Sequence, residues 1–126
     1  MTEQLAIPEL TVTPDKYLTF RYAGASGDFN PIHLDDEFAR GVGLPGRIVH
    51  GLWTMAQVAR AATQAVGGPE ALKRLDVTFR GVGVPEKEIV VTGTAHEPAG
   101  GITKVDFVVQ QDGATIIRRA TAEIAT

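Results

Sequence analysis

A carboxylate, an amide and an imidazole fall within six consecutive positions, Asp28-Phe29-Asn30-Pro31-Ile32-His33. An imidazole titrates near neutrality without help, and a carboxylate beside it can orient it or share a proton, so the pair suits general acid–base chemistry. Regular structure does not align the two. On a helix, at ~100° per residue, Asp28 and His33 would lie about 140° apart around the axis. On a strand, an odd spacing sends them to opposite faces. They converge only if the chain bends between them. Pro31 favours a bend, because it fixes its own φ and pushes Asn30 out of the helical region. Asn30 can hydrogen-bond its own backbone to hold the turn. On spacing alone the plainer reading has the advantage: Asp28 and Asn30 as turn formers, His33 as an ordinary surface or helix-start residue. His33, Asp35 and Asp36 are all metal-ligand types. The three histidines lie far apart in the chain and no standard ligand spacing appears, so no metal is expected.

The second stretch is Arg47-Ile48-Val49-His50-Gly51-Leu52-Trp53-Thr54-Met55, where His50-Gly51 stands at the start of a helical pattern. The first N–H groups of a helix lack internal partners and carry the positive end of its dipole. A glycine there lets a ligand approach the backbone closely. A carbonyl oxygen placed at that point would be stabilised as it became an enolate. His50 itself is expected to be a satisfied structural histidine, and His96, at the end of a strand, a surface residue.

These stretches need elements to hold them. The chain has 126 residues, the size of one domain spanning 1–126, and its 44% apolar content suffices for a real core. The net charge of −3 leaves no domain-wide basic field, so nucleic acid is not an expected partner. The absence of cysteine excludes disulfides, a thiol nucleophile and cysteine-ligated metals. The opening residues lack a basic region and a long apolar run, and no stretch approaches a membrane span, so a soluble cytoplasmic protein is expected. After an extended lead-in of ten residues, Thr13 (cap), Pro14 and Asp15 read as a helix start, with Tyr17, Phe20, Arg21 and Gly24 at helical spacing and an end near Gly24 to Gly27. A short helix is expected from Asp35 to Gly41. From Gly51 to Val66 the pattern is helical and apolar nearly all round, which predicts a buried helix, with Leu52, Met55, Ala56, Ala59, Ala62 and Val66 on one face. Leu75 to Arg80, Glu88 to His96, Thr103 to Gln111 and Ala114 to Ile124 read as strands, the last two joined by an Asp112-Gly113 hairpin. The layout is α+β, one antiparallel sheet wrapped on one helix.

Tyr22-Ala23-Gly24-Ala25-Ser26-Gly27-Asp28-Phe29-Asn30-Pro31-Ile32-His33, followed by Ile48-Val49-His50-Gly51, resembles the MaoC-like, (R)-specific enoyl-CoA hydratases. It also resembles the catalytic subunits of (3R)-hydroxyacyl-acyl carrier protein dehydratases. The resemblance implies a hotdog fold, a curved antiparallel β-sheet around a long central α-helix. It implies reversible syn addition of water to a trans-2-enoyl thioester. Asp28 and His33 would be the catalytic pair, Asn30 would hold the loop, and the Gly51 N–H would be the oxyanion donor. No metal or organic cofactor is implied, the acyl group being carried by coenzyme A or acyl carrier protein. Implied partners are a second copy of the chain or a related hotdog subunit, with neither nucleic acid nor membrane. Arg47, Lys87 and Arg80 are the basic residues considered for the carrier's phosphates, and Trp53 and Phe79 the aromatics that could line or support a pocket. Gly83-Val84-Pro85-Glu86-Lys87-Glu88 departs from the family pattern, lacking the Gly-Asp pair common after Pro-Val. Two other readings keep the fold and change the role: a non-catalytic or partner-dependent subunit of a heteromeric dehydratase, and a thioesterase.

Overall fold

The computed structural model describes residues 5–126. Positions 1–4, where the extended lead-in begins and where a targeting segment was not expected, lie outside it. The chain forms β1 (Leu10–Val12), α1 (Leu18–Ser26), a 3-10 turn (Pro31–His33), α2 (Asp36–Gly41), α3 (Gly51–Gln64), a second 3-10 turn (Pro69–Ala71), β2 (Leu72–Phe79), β3 (Ile89–Ala95), β4 (Ile102–Gln111) and β5 (Ala114–Ala125). The five strands make one antiparallel sheet in the order β1-β3-β4-β5-β2, and α3 packs against four of them. This is the hotdog arrangement.

The strands alternate as a half-buried sheet requires. Along β4, Thr103, Val105, Phe107, Val109 and Gln111 are buried, while Lys104, Asp106 and Gln110 face outward. Val58, Ala61 and Ala62 of α3 meet that inner face beside Val91, Val105, Phe107 and Ile124. Alanines on the helix let the sheet curve close around it. Phe107 needs a gap across the ladder: its register partner is Gly93, and a Cβ there would stand 2.6 Å from the Phe107 ring. The β4–β5 hairpin turns through Asp112 and Gly113, both at positive φ (52° and 75°), the signature of the tight turn their sequence encodes.

Several expectations are corrected. α1 begins at Leu18, not at Thr13-Pro14. Pro14 is buried and its carbonyl accepts the Glu86 N–H at 2.6 Å, and Asp15 accepts the Tyr17 N–H at 2.8 Å, so these groups are engaged outside a helix. The lead-in runs at Leu10 into a three-residue edge strand, β1, too short to carry an alternation signal. The central helix is buried on one face only. Thr54, Gln57, Val58, Ala61 and Ala62 are inside, whereas Leu52 is 64% exposed and Ala56 is exposed too. Helix α3 also ends two residues before Val66, and β2 starts at Leu72 rather than Leu75.

The connection that departs from the family pattern is held by a buried amide. Gln111 donates through Nε2 to the Val84 and Lys87 carbonyls and accepts the Val84 N–H through Oε1, each at 2.9 Å. Within this loop Glu86 adopts φ 72°, a left-handed conformation that costs a residue with a Cβ about 1–2 kcal/mol. Glu86→Gly should relieve that cost, partly offset by the greater freedom of glycine in the unfolded chain. Urea unfolding should show a net gain of about 0.5–1 kcal/mol for Glu86→Gly and none for Glu86→Ala, which keeps the strain.

Candidate active site

Three side chains tie the turn that follows α1. Ser26 Oγ accepts the Asp28 N–H at 3.1 Å, Asp28 Oδ1 accepts the Asn30 N–H at 3.2 Å, and Asn30 Oδ1 accepts the Ile32 N–H at 3.2 Å. Each bond spans two residues, the reach by which short polar side chains stand in for a backbone turn. Asn30 thereby caps the Pro31–His33 turn, where proline occupies the first position. The chain bends as Pro31 required, and Asp28 Oδ2 comes to 3.6 Å from His33 Nε2.

His33 is buried, not the surface residue of the plainer reading. Its Nδ1 lies 2.8 Å from the Ile48 carbonyl, an acceptor, so Nδ1 carries the hydrogen. In the neutral ring Nε2 then presents its lone pair toward Asp28. The 3.6 Å gap exceeds a hydrogen bond and suits a shared water. The Asp28 side chain is 52% exposed, so its carboxylate also meets solvent.

His50 does more than fill space. Its ring stacks on His33 with centroids 3.8 Å apart and planes at 19°, and Tyr22 covers it at 4.8 Å. Its Nε2–H donates to the Asp28 carbonyl at 3.1 Å, so it grips the backbone of one member of the pair and the ring of the other. Burial pushes its imidazole below the ordinary value. The hydrogen bond to Asp28 opposes that shift, and the neighbouring His33 adds to it. Nδ1 of His50 is buried with no hydrogen-bond partner among the described residues.

This depressed pKa sets the sign of a stability effect. The unfolded chain protonates His50 more readily than the folded one, so the effect is absent above about pH 6.5 and grows as pH falls below it. The urea midpoint should decline from pH 7 toward pH 5. His50→Gln should flatten that decline, because the depressed carboxylates Asp15, Asp36 and Asp106 titrate in more acidic solution.

Gly51 opens α3 with His50 as its N-cap, and no side chain caps that end. The Gly51 N–H has no partner among the described residues. A Cβ at Gly51 would meet the Phe79 ring at 3.1 Å, so glycine lets this aromatic close over the helix terminus. Between them lies a cavity of about 180 Å3 whose walls include His33, Gly51, Thr54, Phe79, Val82 and Ile116. Phe79 thus lines the cavity, whereas Trp53 packs against the core. His33 and Gly51, from two different elements, thus line one cavity, with Asp28 facing His33 and Asn30 capping the turn that carries it.

The other candidates disperse. Asp35 caps α2, and Asp36 binds the Arg47 backbone N–H and guanidinium at 2.8 and 2.9 Å, which holds its carboxyl below the usual range. Neither joins His33 in a ligand set. Asp28, His33 and His50 instead place one donor atom each within 4.8 Å of one another. His33 Nδ1 and His50 Nε2 already donate to carbonyls, so of the imidazole nitrogens only His33 Nε2 and the buried His50 Nδ1 keep a lone pair beside the Asp28 carboxylate. Arg47 is also bonded to the Lys16 carbonyl, Lys87 pairs with Asp112 at 3.0 Å, and His96 pairs with Asp106 at the surface. Only Arg80 of the three basic candidates lacks an ion pair among the described residues.

Comparison with known proteins agrees with this arrangement. A family described as the MaoC like domain matches residues 2–115. The fatty acid synthase beta subunit hexB of Dothistroma septosporum is 39% identical over 108 residues, covering 82% of this chain and 6% of the relative. The peroxisomal enoyl-CoA hydratase 2 of Arabidopsis thaliana is 37% identical over 79 residues, covering 61% of this chain and 25% of the relative. The chain therefore spans a small part of these curated relatives. A solved (R)-hydratase from A. caviae, involved in PHA biosynthesis, superposes with a TM-score of 0.86 at 19% identity, covering 99% of this chain and 98% of that one, a likeness of fold. With the fold, the paired turn and helix terminus, and a match over most of its length, the chain belongs to the MaoC-like domain family.

Proposed function

We propose that the protein adds water reversibly to trans-2-enoyl thioesters, giving (3R)-hydroxyacyl thioesters. The observation that carries this reading is that His33, whose Nε2 lies 3.6 Å from Asp28 Oδ2, lines the same cavity as the open N-terminus of α3 at Gly51. The thioester carbonyl docks on the Gly51 N–H. A water held between Asp28 and His33 adds its hydroxyl to C3 and gives its other proton to the pair. Electron density from the C2–C3 double bond moves onto the carbonyl oxygen, where the N–H and helix dipole stabilise the enolate. The pair then returns a proton to C2, so one water is consumed and no group leaves. No metal or organic cofactor enters the scheme, and the acyl carrier is coenzyme A or acyl carrier protein. The hydratase and fatty acid synthase relatives support the substrate class, and the likeness to an (R)-hydratase supports the stereochemistry.

The reading includes a partner. β2 is an edge strand with one free ladder side, and such an edge invites pairing with another chain. Leu52, Phe29 and Val82 are exposed apolar side chains that an assembly would cover. The partner is a second copy or a related hotdog subunit, and sedimentation of the purified chain should show a dimer if the former. Among the described residues no helix is long and apolar enough to cross a membrane. The proposed setting of the reaction is the cytoplasm.

The test is crotonyl-CoA hydration by the purified protein, followed as loss of the conjugated enoyl-thioester absorbance with chiral analysis of the product. A (3R) product supports the proposal. Absence of hydration across short and long acyl chains on both carriers would reject it.

A further inference from the structure

Three arginines that form no direct ion pair among the described residues gather where β2 ends, although Arg119 still feels the Asp106 carboxylate. Arg80 follows β2 directly, and Arg118 and Arg119 lie opposite it on β5. The β2–β5 register passes from Thr78↔Arg119 to Phe79↔Ile117, so β5 carries one extra residue at this point. Strict alternation would turn one of two adjacent side chains inward. The bulge leaves Arg118 and Arg119 both exposed, and buries Ile116 and Ile117 together before them. The Arg80 and Gly81 N–H groups both donate to the Ile116 carbonyl, at 2.8 and 2.9 Å, which pins Arg80 beside the bulge.

A pocket of about 320 Å3 lies here, lined by Thr78, Phe79, Arg80, Arg118 and Arg119, with no carboxylate in its wall. None of the three guanidinium groups forms an ion pair among the described residues, whereas Arg21 and Arg47 each have one and Arg74 has two. In a chain of net charge −3 this is a local concentration of positive charge. The pocket also shares a wall residue with the cavity at Gly51. Phe79 lines both cavities and closes over Gly51. A ligand whose reactive end sits at Gly51 would pass the Phe79 ring to reach the arginines.

We propose that the Arg80, Arg118 and Arg119 pocket binds the phosphate groups of the nucleotide end of a coenzyme A thioester. This rests on the hydratase reading and selects coenzyme A over a carrier protein. Guanidinium groups bind phosphate through paired, charge-assisted hydrogen bonds, and the Thr78 hydroxyl offers a further donor. A concave pocket with the cations on its wall fits compact phosphates, whereas an acidic protein surface would need a broader basic face.

Crotonyl-CoA and crotonyl-pantetheine share the reacting group and the pantetheine arm and differ in the phosphorylated nucleotide. In Arg80→Gln and Arg118→Gln, KM for crotonyl-CoA should rise about tenfold relative to that for crotonyl-pantetheine. The wild type should bind adenosine 3′,5′-bisphosphate by calorimetry, less tightly as salt is raised, and the double variant should not. An unchanged KM ratio, a loss confined to a crotonyl-carrier-protein substrate, or a wild type that does not bind the bisphosphate would overturn the proposal. If the wild type binds the bisphosphate through these arginines yet hydrates neither thioester, the hydratase reading fails and the phosphate site stands.

Discussion

Asp28→Asn and His33→Ala should each lower enoyl-thioester hydration by about 10²–10⁴-fold, the span of a positioned acid–base group. The two changes remove different things. Asp28→Asn keeps the side chain's size and an oxygen that can still accept the Asn30 N–H, but removes the negative charge facing His33. Because the Asp28 side chain is about half exposed, stability should hardly move. His33→Ala removes the Nε2 lone pair and also leaves the Ile48 carbonyl without its 2.8 Å donor, which costs roughly 1–3 kcal/mol of stability. Activity must therefore be compared at a temperature where unfolding curves show both variants folded. If water is held by both groups, the double variant should be little worse than the weaker single one, since residues acting as a unit are not additive. Retained turnover in both single variants would remove the pair from the mechanism.

Replacing Gly51 by proline should lower turnover by about 10²–10³-fold, the cost of losing one oxyanion donor. The backbone suits this test. Gly51 is the first residue of α3, the helical position that tolerates proline, and His50 at φ −61°, ψ 132° has the extended conformation a residue before proline requires. The helix should therefore survive while one N–H is deleted. The ring adds bulk against Phe79, which is 46% exposed and can shift outward. Gly51→Ala is the control, because it adds a Cβ in the same direction and keeps the N–H. The informative quantity is kcat of the proline variant relative to the alanine variant. If the two are equal, steric closure accounts for the loss and the Gly51 N–H is no donor to the transition state.

Local interactions were readable from residue type. The Asp28–His33 bend follows from Pro31 and from short polar side chains whose hydrogen bonds span two residues, so the residues that make the turn also sit inside it. The same holds for the α2 cap at Asp35, the Asp112-Gly113 hairpin and the alternation along β4. The start of α1 was misread because the Thr13-Pro14-Asp15 signal is local, while the group that engages the Pro14 carbonyl is the distant Glu86 N–H. The exposed strip of α3 at Leu52 and Ala56 was misread because alanine and leucine fit either side of a helix, and periodicity cannot tell a buried face from one awaiting a partner.

Residue types and their spacing sufficed for a carboxylate and an imidazole held at a bend, a helix whose N-terminus opens on glycine, and an antiparallel sheet to wrap that helix. Bond geometry, φ restriction and side-chain period act over a few residues, so they can be read along the chain. That His50 stacks on His33 and grips Asp28, that Phe79 closes over Gly51, and that a bulge gathers Arg118 and Arg119 beside Arg80 emerge in the folded chain alone. Those contacts depend on register and on how closely sheet and helix approach, and the packing of the whole core fixes both.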